Sequence, residues 1–240
     1  MLTIMIELQG VSKSYGGRIV VQDISFTIRA GTVFGFLGPN GAGKTTTMKM
    51  MVGISQPDAG LIRIAGKDGS DQSVKEHIGY MPEAPYFYDK LTGLEFMGFC
   101  NDLFARCATT AECERILETM GLAEAMRRPI ATYSKGMKQR LGFAQALVNH
   151  PQYLFLDEPL DGLDPLGRRE MKKTIVGLKA QGTTVFFNSH ILSDTEEICD
   201  EIGVLHQGKL LYAGAVKRFT DGMPLEERFV RTIEEYSSAS

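Results

Sequence analysis

The stretch GFLGPNGAGKTTTMKMM, residues 35–51, constrains the chain more than any other. It holds G-x-x-x-x-G-K-T, with Gly38, Gly43, Lys44 and Thr45 at the fixed positions and Gly41 between them. An apolar run precedes it and a helical pattern follows, the context such a loop requires. The spacing has a physical cause. For successive backbone N–H groups to point inward at a polyphosphate, the loop from Gly38 through Pro39, Asn40, Gly41 and Ala42 to Gly43 has to curl tightly. Glycine permits both the dihedrals and the close approach. Lys44 adds a point charge for the outer phosphates, and Thr45 offers a hydroxyl to Mg²⁺. Thr46 opens a helix whose positive pole faces the anion.

Around this loop the pattern alternates. Short strand-like runs come first: IMIELQGVSKSY, RIVVQDISFTI and GTVFGFLG. YLFLD (Tyr153 to Asp157) and TTVFFNSH (Thr183 to His190) read as fully buried parallel strands. The helical pattern between them, Pro165 to Ala180, has Asp164 as N-cap and Gly182 past its end, so the three make a βαβ unit. A hairpin follows in EIGVLHQGKLLYAG, turning near Gln207-Gly208. From Glu83 to His150 the signal is helical, in GLEFMGFCNDLFARC and AECERILETMGL, with almost no strand. The expected architecture is α/β: a P-loop core with a mostly parallel sheet, an N-terminal antiparallel β-subdomain and an inserted helical subdomain. One domain is expected over residues 1–222, with its core in 1–82 and 151–222 and its helical lobe in 83–150. The tail, 223–240, reads as a short helix with a frayed end.

Composition narrows the classes. With 43% hydrophobic and 23% charged residues the chain has an ordinary core. A net charge of −3 gives no global pull toward nucleic acid. No apolar run reaches the length of about 18 residues that spans a membrane. MLTIMIELQG lacks a secretory pattern, and either Met1 or Met5 can serve as the start. The four cysteines, Cys100, Cys107, Cys113 and Cys199, form no C-x-x-C pair, which reads as free and mostly buried thiols. His77, His150 and His206 read as structural, and most of the methionines as gap-filling core.

A polyphosphate site with a metal needs a carboxylate at the end of a second buried strand. Asp157 closes YLFLD and fits as the Mg²⁺ ligand. Glu158 follows at once, placed to polarise an attacking water. A second feature is less easily explained. In YSKGMKQR, Ser134 caps a helix that Pro151 closes off, yet Lys135, Lys138 and Arg140 crowd its N-terminal end. That end already carries about half a positive charge. Either these cations are simply solvated, or an anion that the segment itself does not supply sits there.

Taken together, YSKGMKQRLGFAQALVNHPQYLFLDEPLDGLDP and the phosphate loop resemble the ATP-binding subunits of ABC transporters, and the likeness runs through nearly the whole chain. The resemblance implies that Tyr15 stacks on adenine and that Gly38 to Thr46 cradle the phosphates of ATP. Ser134, Gly136 and Met137 fall in the signature segment, Asp164 in the D-loop, and His190 at the switch histidine. It further implies a head-to-tail dimer with each ATP between the phosphate loop of one copy and the signature of the other. Glu158 would be the general base, with Lys44 and His190 on the γ-phosphate and Asp164 coupling the sites. GYMPEAP occupies the loop between core and helical lobe, and carries Glu83 where the family usually has Gln. An ionised Glu only accepts, so Glu83 is expected to contact Mg²⁺ and to sense and couple rather than bind phosphate. Lys135 replaces the first signature glycine, so its φ should be negative.

The membrane partner implied by the family would be a separate permease, placing the chain in the cytoplasm on the inner face of the membrane. The aromatic stretch PYFYDKLTGLEFMGF lies where the family docks that partner. Tyr86, Phe87, Tyr88 and Phe96 either dock it or pack the helical lobe internally. The tail and signature variants are similar to prokaryotic exporters of drug, sodium or polysaccharide type. Two alternatives stay open: a soluble ABC ATPase acting on ribosomes or DNA, and a binding module with a dead site. The first usually joins two nucleotide domains or carries a long coiled coil, and neither is seen. The second conflicts with filled catalytic positions.

Overall fold

In the computed structural model, residues 4–104 and 108–239 are described. Cys107 and Met1 lie outside them. Cys100, Cys113 and Cys199 are free thiols, and burial pushes all three upward in pKa.

Two sheets form the core. Strands β1 (Ile4–Tyr15) and β2 (Arg18–Arg29) pair as an antiparallel hairpin. With β4 (Ala59–Ile64) and β5 (Lys67–Asp68) they make a four-stranded antiparallel sheet in the order β2-β1-β4-β5. The second sheet has six strands. Its centre is β3 (Val33–Leu37), flanked by β8 (Thr184–Asn188) and β9 (Glu201–His206). Beyond β8 lie β7 (Tyr153–Asp157) and β6 (Ile78–Met81), and all these neighbours run parallel. Only β10 (Lys209–Ala215), on the far edge, is antiparallel. The segments VFGFL, YLFLD and TVFFN are buried at every position, as a sheet covered on both faces demands.

A ladder of phenylalanines joins the two sheets. Phe26 of β2 stacks on Phe34 of β3 at 5.4 Å, and Phe34 on Phe186 of β8 at 5.7 Å. Phe186 also meets Phe155 of β7 at 5.9 Å. Such pairs contribute about 0.5–1.5 kcal/mol each beyond their buried area.

Helix α1 (Lys44–Met51) follows the phosphate loop, and α2 (Gln72–Lys75) is a single turn before β6. The helical region holds α3 (Gly93–Asn101), α4 (Thr110–Thr119) and α5 (Lys135–Ala146). α3 and α4 each start in a reciprocal capping box, Thr92 with Glu95 and Thr109 with Glu112. Ser134 caps α5, accepting from the Met137 N–H at 3.2 Å. α6 (Pro165–Ala180) connects β7 to β8, with Asp164 accepting from the Gly167 N–H at 2.8 Å. α7 (Leu192–Ile198), α8 (Val216–Thr220) and α9 (Leu225–Ala239) complete the chain.

Four details differ from the sequence reading. The segment GYMPEAP is not all loop, since Gly79, Tyr80 and Met81 belong to β6 and only Pro82 onward leaves the sheet. β4 and β5 carry no clear periodic signal and emerge from pairing, while α2 is a single turn capped by Asp71. α5 stops at Ala146 rather than running on to Pro151, and His150 takes the left-handed φ of 50° in the turn between. The tail helix has 15 residues, held by Leu225, Phe229 and Ile233 against the apolar cluster around Phe219.

The aromatic stretch divides. Phe87 and Phe96 are buried and meet edge-on at 5.2 Å. Tyr86 is 83% exposed and Tyr88 50% exposed, and with Phe99 they form a chain of edge contacts on the surface. Among the described residues no helix is long and apolar enough to cross a membrane.

Candidate functional site

The carboxyl ends of β3, β8 and β7 lie side by side, with Phe36 and Asp157 both in register with Asn188. Ligands of open α/β sheets bind outside such strand ends. β3 delivers the phosphate loop here. Gly38 is forced by crowding, because a Cβ there would lie 2.3 Å from the Leu205 carbonyl oxygen. Gly43 has φ 110° and caps α1 without any side-chain hydrogen bond, leaving the first helical N–H groups to an anion. Lys44 is buried, and its Nζ donates to the carbonyls of Gly38 (2.7 Å) and Pro39 (3.3 Å). Burial lowers its pKa, against the attraction of Glu158, Asp157 and Glu83.

β7 ends in Asp157, whose side chain is almost fully buried. Its Oδ1 accepts from Asn188 Nδ2 at 2.7 Å, while its Oδ2 is buried without a protein partner. Next comes Glu158, in the left-handed region at φ 51°. Its side chain reaches the segment just after β8, where Oε2 accepts from the His190 backbone N–H at 3.3 Å and pairs with His190 Nδ1 at 2.8 Å. Burial raises the Glu158 pKa, opposed first by the His190 charge.

The cleft these groups enclose has a volume of about 440 Å³. Asn40, Gly41, Gly43, Lys44, Thr45, Thr46, Glu83, Glu158 and His190 all reach its wall, so the structure brings together most of the residues expected to serve phosphate, water and metal. Val20 and Asp161 also line it. Gly38, Pro39, Ala42 and Asp157 do not line it, although the Gly38 and Pro39 carbonyls hold Lys44 Nζ. Tyr15 stands apart at the end of β1, half-exposed, with its hydroxyl 3.2 Å from Ser55 and Lys13 over its ring.

The donor set fits Mg²⁺. Glu83, Asp157 and Glu158 act on the one buried lysine, so a divalent cation entering with a polyphosphate would offset the carboxylate charge that Lys44 alone leaves. The orphaned Asp157 Oδ2 is a ready oxygen ligand. Among the described residues no cluster of three or more His, Cys, Asp or Glu side chains forms a self-contained metal site. Mg²⁺ at phosphates ordinarily uses one or two carboxylates and takes its remaining ligands from substrate and water.

Ser134, Gly136, Met137 and Asp164 do not line this cleft. Ser134 and Asp164 are exposed, at the caps of α5 and α6. Lys135 is the first residue of α5 and has no positive φ, as a side chain at that signature position requires. The crowded cations find anions in their own chain. Lys135 pairs with Asp161 at 2.9 Å, Lys138 with Asp89 at 3.3 Å and Arg140 with Glu170 at 3.0 Å. Neither bare solvation nor a foreign anion is needed to account for them. A larger hollow of about 830 Å³, lined by Arg115, Ile116, Leu147, His150, Thr174 and Leu178, lies elsewhere and has no phosphate-binding turn.

Three residues escaped sequence reasoning. Asn188, which orients Asp157, carried a usable signal as a buried amide at a strand end two residues before His190. Asp161 and Gln139 carried none, because their contacts are set by how α5 lies on the turn after β7.

The profile described as ABC transporter matches residues 21–161. An uncharacterized ABC transporter ATP-binding protein of Nostoc sp. is 46% identical over 202 residues, covering 82% of this chain and 60% of that protein. The chain thus spans less than two thirds of that relative's length. The lantibiotic transport ATP-binding protein SrtF of Streptococcus pyogenes is 36% identical over 229 residues, covering 95% of this chain and 97% of its own. A solved ATP-binding subunit of an ABC transporter superposes with a TM-score of 0.87 at 30% identity, covering 95% of this chain and 99% of that one.

Proposed function

The chain belongs to the ABC transporter ATP-binding family, and we propose that it hydrolyses ATP to drive transport, in the outward direction, through a separate membrane permease. One observation carries this reading: Lys44, Glu158 and His190 converge on a single cleft, over a buried Asp157 with a free carboxylate oxygen. The chemistry follows from the chain's own groups. The phosphate-loop amides and Lys44 bind the β- and γ-phosphates. Glu158 takes the proton of a water attacking the γ-phosphorus, and the bond to the bridging oxygen of ADP breaks. His190 holds the Glu158 carboxylate and faces the γ-phosphate. Thr45 and Asp157 would hold Mg²⁺, with Glu83 across the cleft, and the ion would supply charge neutralisation at the phosphates. Tyr15 takes the adenine.

The signature turn suits a second copy. Ser134 is exposed and does not line its own chain's cleft, so the turn of Ser134 and Gly136, with the Met137 side chain packed on its own core, is available to close the ATP site of a partner copy in a head-to-tail dimer, with Asp164 near the seam. The permease docks on Tyr86, Tyr88 and Phe99, whose exposure supports that use, while Phe87 and Phe96 pack inside. This assembly places the chain on the cytoplasmic face of the membrane and involves no nucleic acid. The single domain unit, residues 1–222, and its helical lobe, 83–150, belong to the same reading.

Glu158→Gln tests it. The variant is expected to bind Mg-ATP, to hydrolyse it far more slowly and to accumulate as a dimer in size exclusion. Turnover near the wild-type rate would remove Glu158 from the role of base.

A further inference from the structure

Glu158 sits in a backbone conformation that non-glycine residues seldom adopt, at φ 51°. Such strain costs on the order of 1 kcal/mol or more and persists only where the surroundings over-determine it. The surroundings here can be counted out. The Glu158 N–H donates to the Asn188 carbonyl of β8 at 3.2 Å. Its carbonyl accepts from the Asp161 N–H at 3.1 Å and, from outside the turn, from Gln139 Nε2 at 2.9 Å.

Gln139 is a buried amide in the middle of α5, only 5% exposed. Lys135 and Gln139 are one helical turn apart and so share a face. That face lies on the 158–162 turn, through the Lys135–Asp161 pair and the Gln139–Glu158 bond. The two ties differ in strength. Lys135 and Asp161 have side chains 72% and 47% exposed, and an ion pair of that kind is largely screened. The Gln139 bond is partly shielded from water, its donor side chain being buried.

We propose that Gln139 is a positioning residue for hydrolysis: its amide holds the Glu158 backbone in the turn that aims the carboxylate into the cleft. This rests on Glu158 being the base. It also makes the signature helix part of the machinery that sets the base of its own chain. Gln139 touches neither nucleotide nor water and acts only through Glu158.

A mutant cycle on the purified full chain, followed by steady-state hydrolysis over a range of Mg-ATP concentrations, tests the proposal. Gln139→Met keeps the volume and removes the donor, and the Asp161 N–H still satisfies the Glu158 carbonyl. It should lower kcat by about tenfold, the worth of one partly shielded hydrogen bond, with KM for ATP and the melting temperature little changed. In the Glu158→Gln background the same substitution should cause no further loss. Unchanged kcat, a parallel rise in KM, or an equal loss in both backgrounds would overturn the proposal, since a merely structural role predicts the last of these. If Gln139→Met fails to fold, Gln139→Glu, which presents an acceptor to the carbonyl, takes its place with the same expectations. The two readings fail separately. A fast Glu158→Gln enzyme defeats the assignment of the base, whereas a slow one beside a fully active Gln139→Met enzyme defeats only the role of Gln139.

Discussion

Lys44 brings a positive charge into a site where burial disfavours it, and two carbonyls of its own loop hold it there. A phosphate would replace those neutral acceptors with charged ones, and charge-assisted bonds are the stronger kind. Lys44→Ala should therefore weaken ATP binding by at least about tenfold, measured by titration with a fluorescent nucleotide, while the melting temperature stays near that of the parent. Wild-type affinity in that variant would contradict the phosphate assignment. Lys44 was legible in the sequence because its neighbours in space are its neighbours in the chain. Gln139 was not, since it acts on a residue that only the fold brings near. The cations of YSKGMKQR make the same point. Within eight residues they look misplaced, whereas in the fold each has a carboxylate on another segment.

The elements most readable from sequence are those whose stability is local or whose burial is complete. The three five-residue runs of β3, β7 and β8 announce themselves by unbroken apolar character. β6 has only four residues and owes its existence to β7 beside it, so no local pattern marks it. The helical lobe starts its first two helices in capping boxes, and this has a pH consequence. Glu95 and Glu112 accept from the N–H and hydroxyl of Thr92 and Thr109, which holds both carboxyls below their ordinary pKa. A depressed carboxylate contributes stability that is present above the unfolded pKa and is lost as pH falls through the folded one. Hydrogen exchange of the first-turn amides of α3 and α4, corrected for intrinsic rate, should show steady protection from neutral pH into mild acid. Below the ordinary carboxylate range that protection should decline. Glu95→Ala and Glu112→Ala should each flatten the profile for their own helix; an unchanged profile would show that the caps do not control fraying.

At the scale of the whole molecule, the aromatic stretch shows what a sequence can and cannot say. PYFYDKLTGLEFMGF supports both an internal and an external role, and the fold assigns them to different residues, Phe87 and Phe96 inside, Tyr86, Tyr88 and Phe99 outside. The same holds for the site. Its phosphate half is a contiguous motif, but the placement of Ser134 away from the cleft of its own chain is a property of three dimensions only. That placement has a genetic consequence. If each ATP site takes Lys44 and Glu158 from one copy and Ser134 from the other, a Ser134→Ala chain and a Glu158→Gln chain are each inactive alone. Paired, they put both lesions into one site and leave the second whole. Mixing the two purified chains should restore hydrolysis that neither shows by itself, and continued silence would mean that each site draws on a single chain. Two defective alleles in one cell would then complement each other.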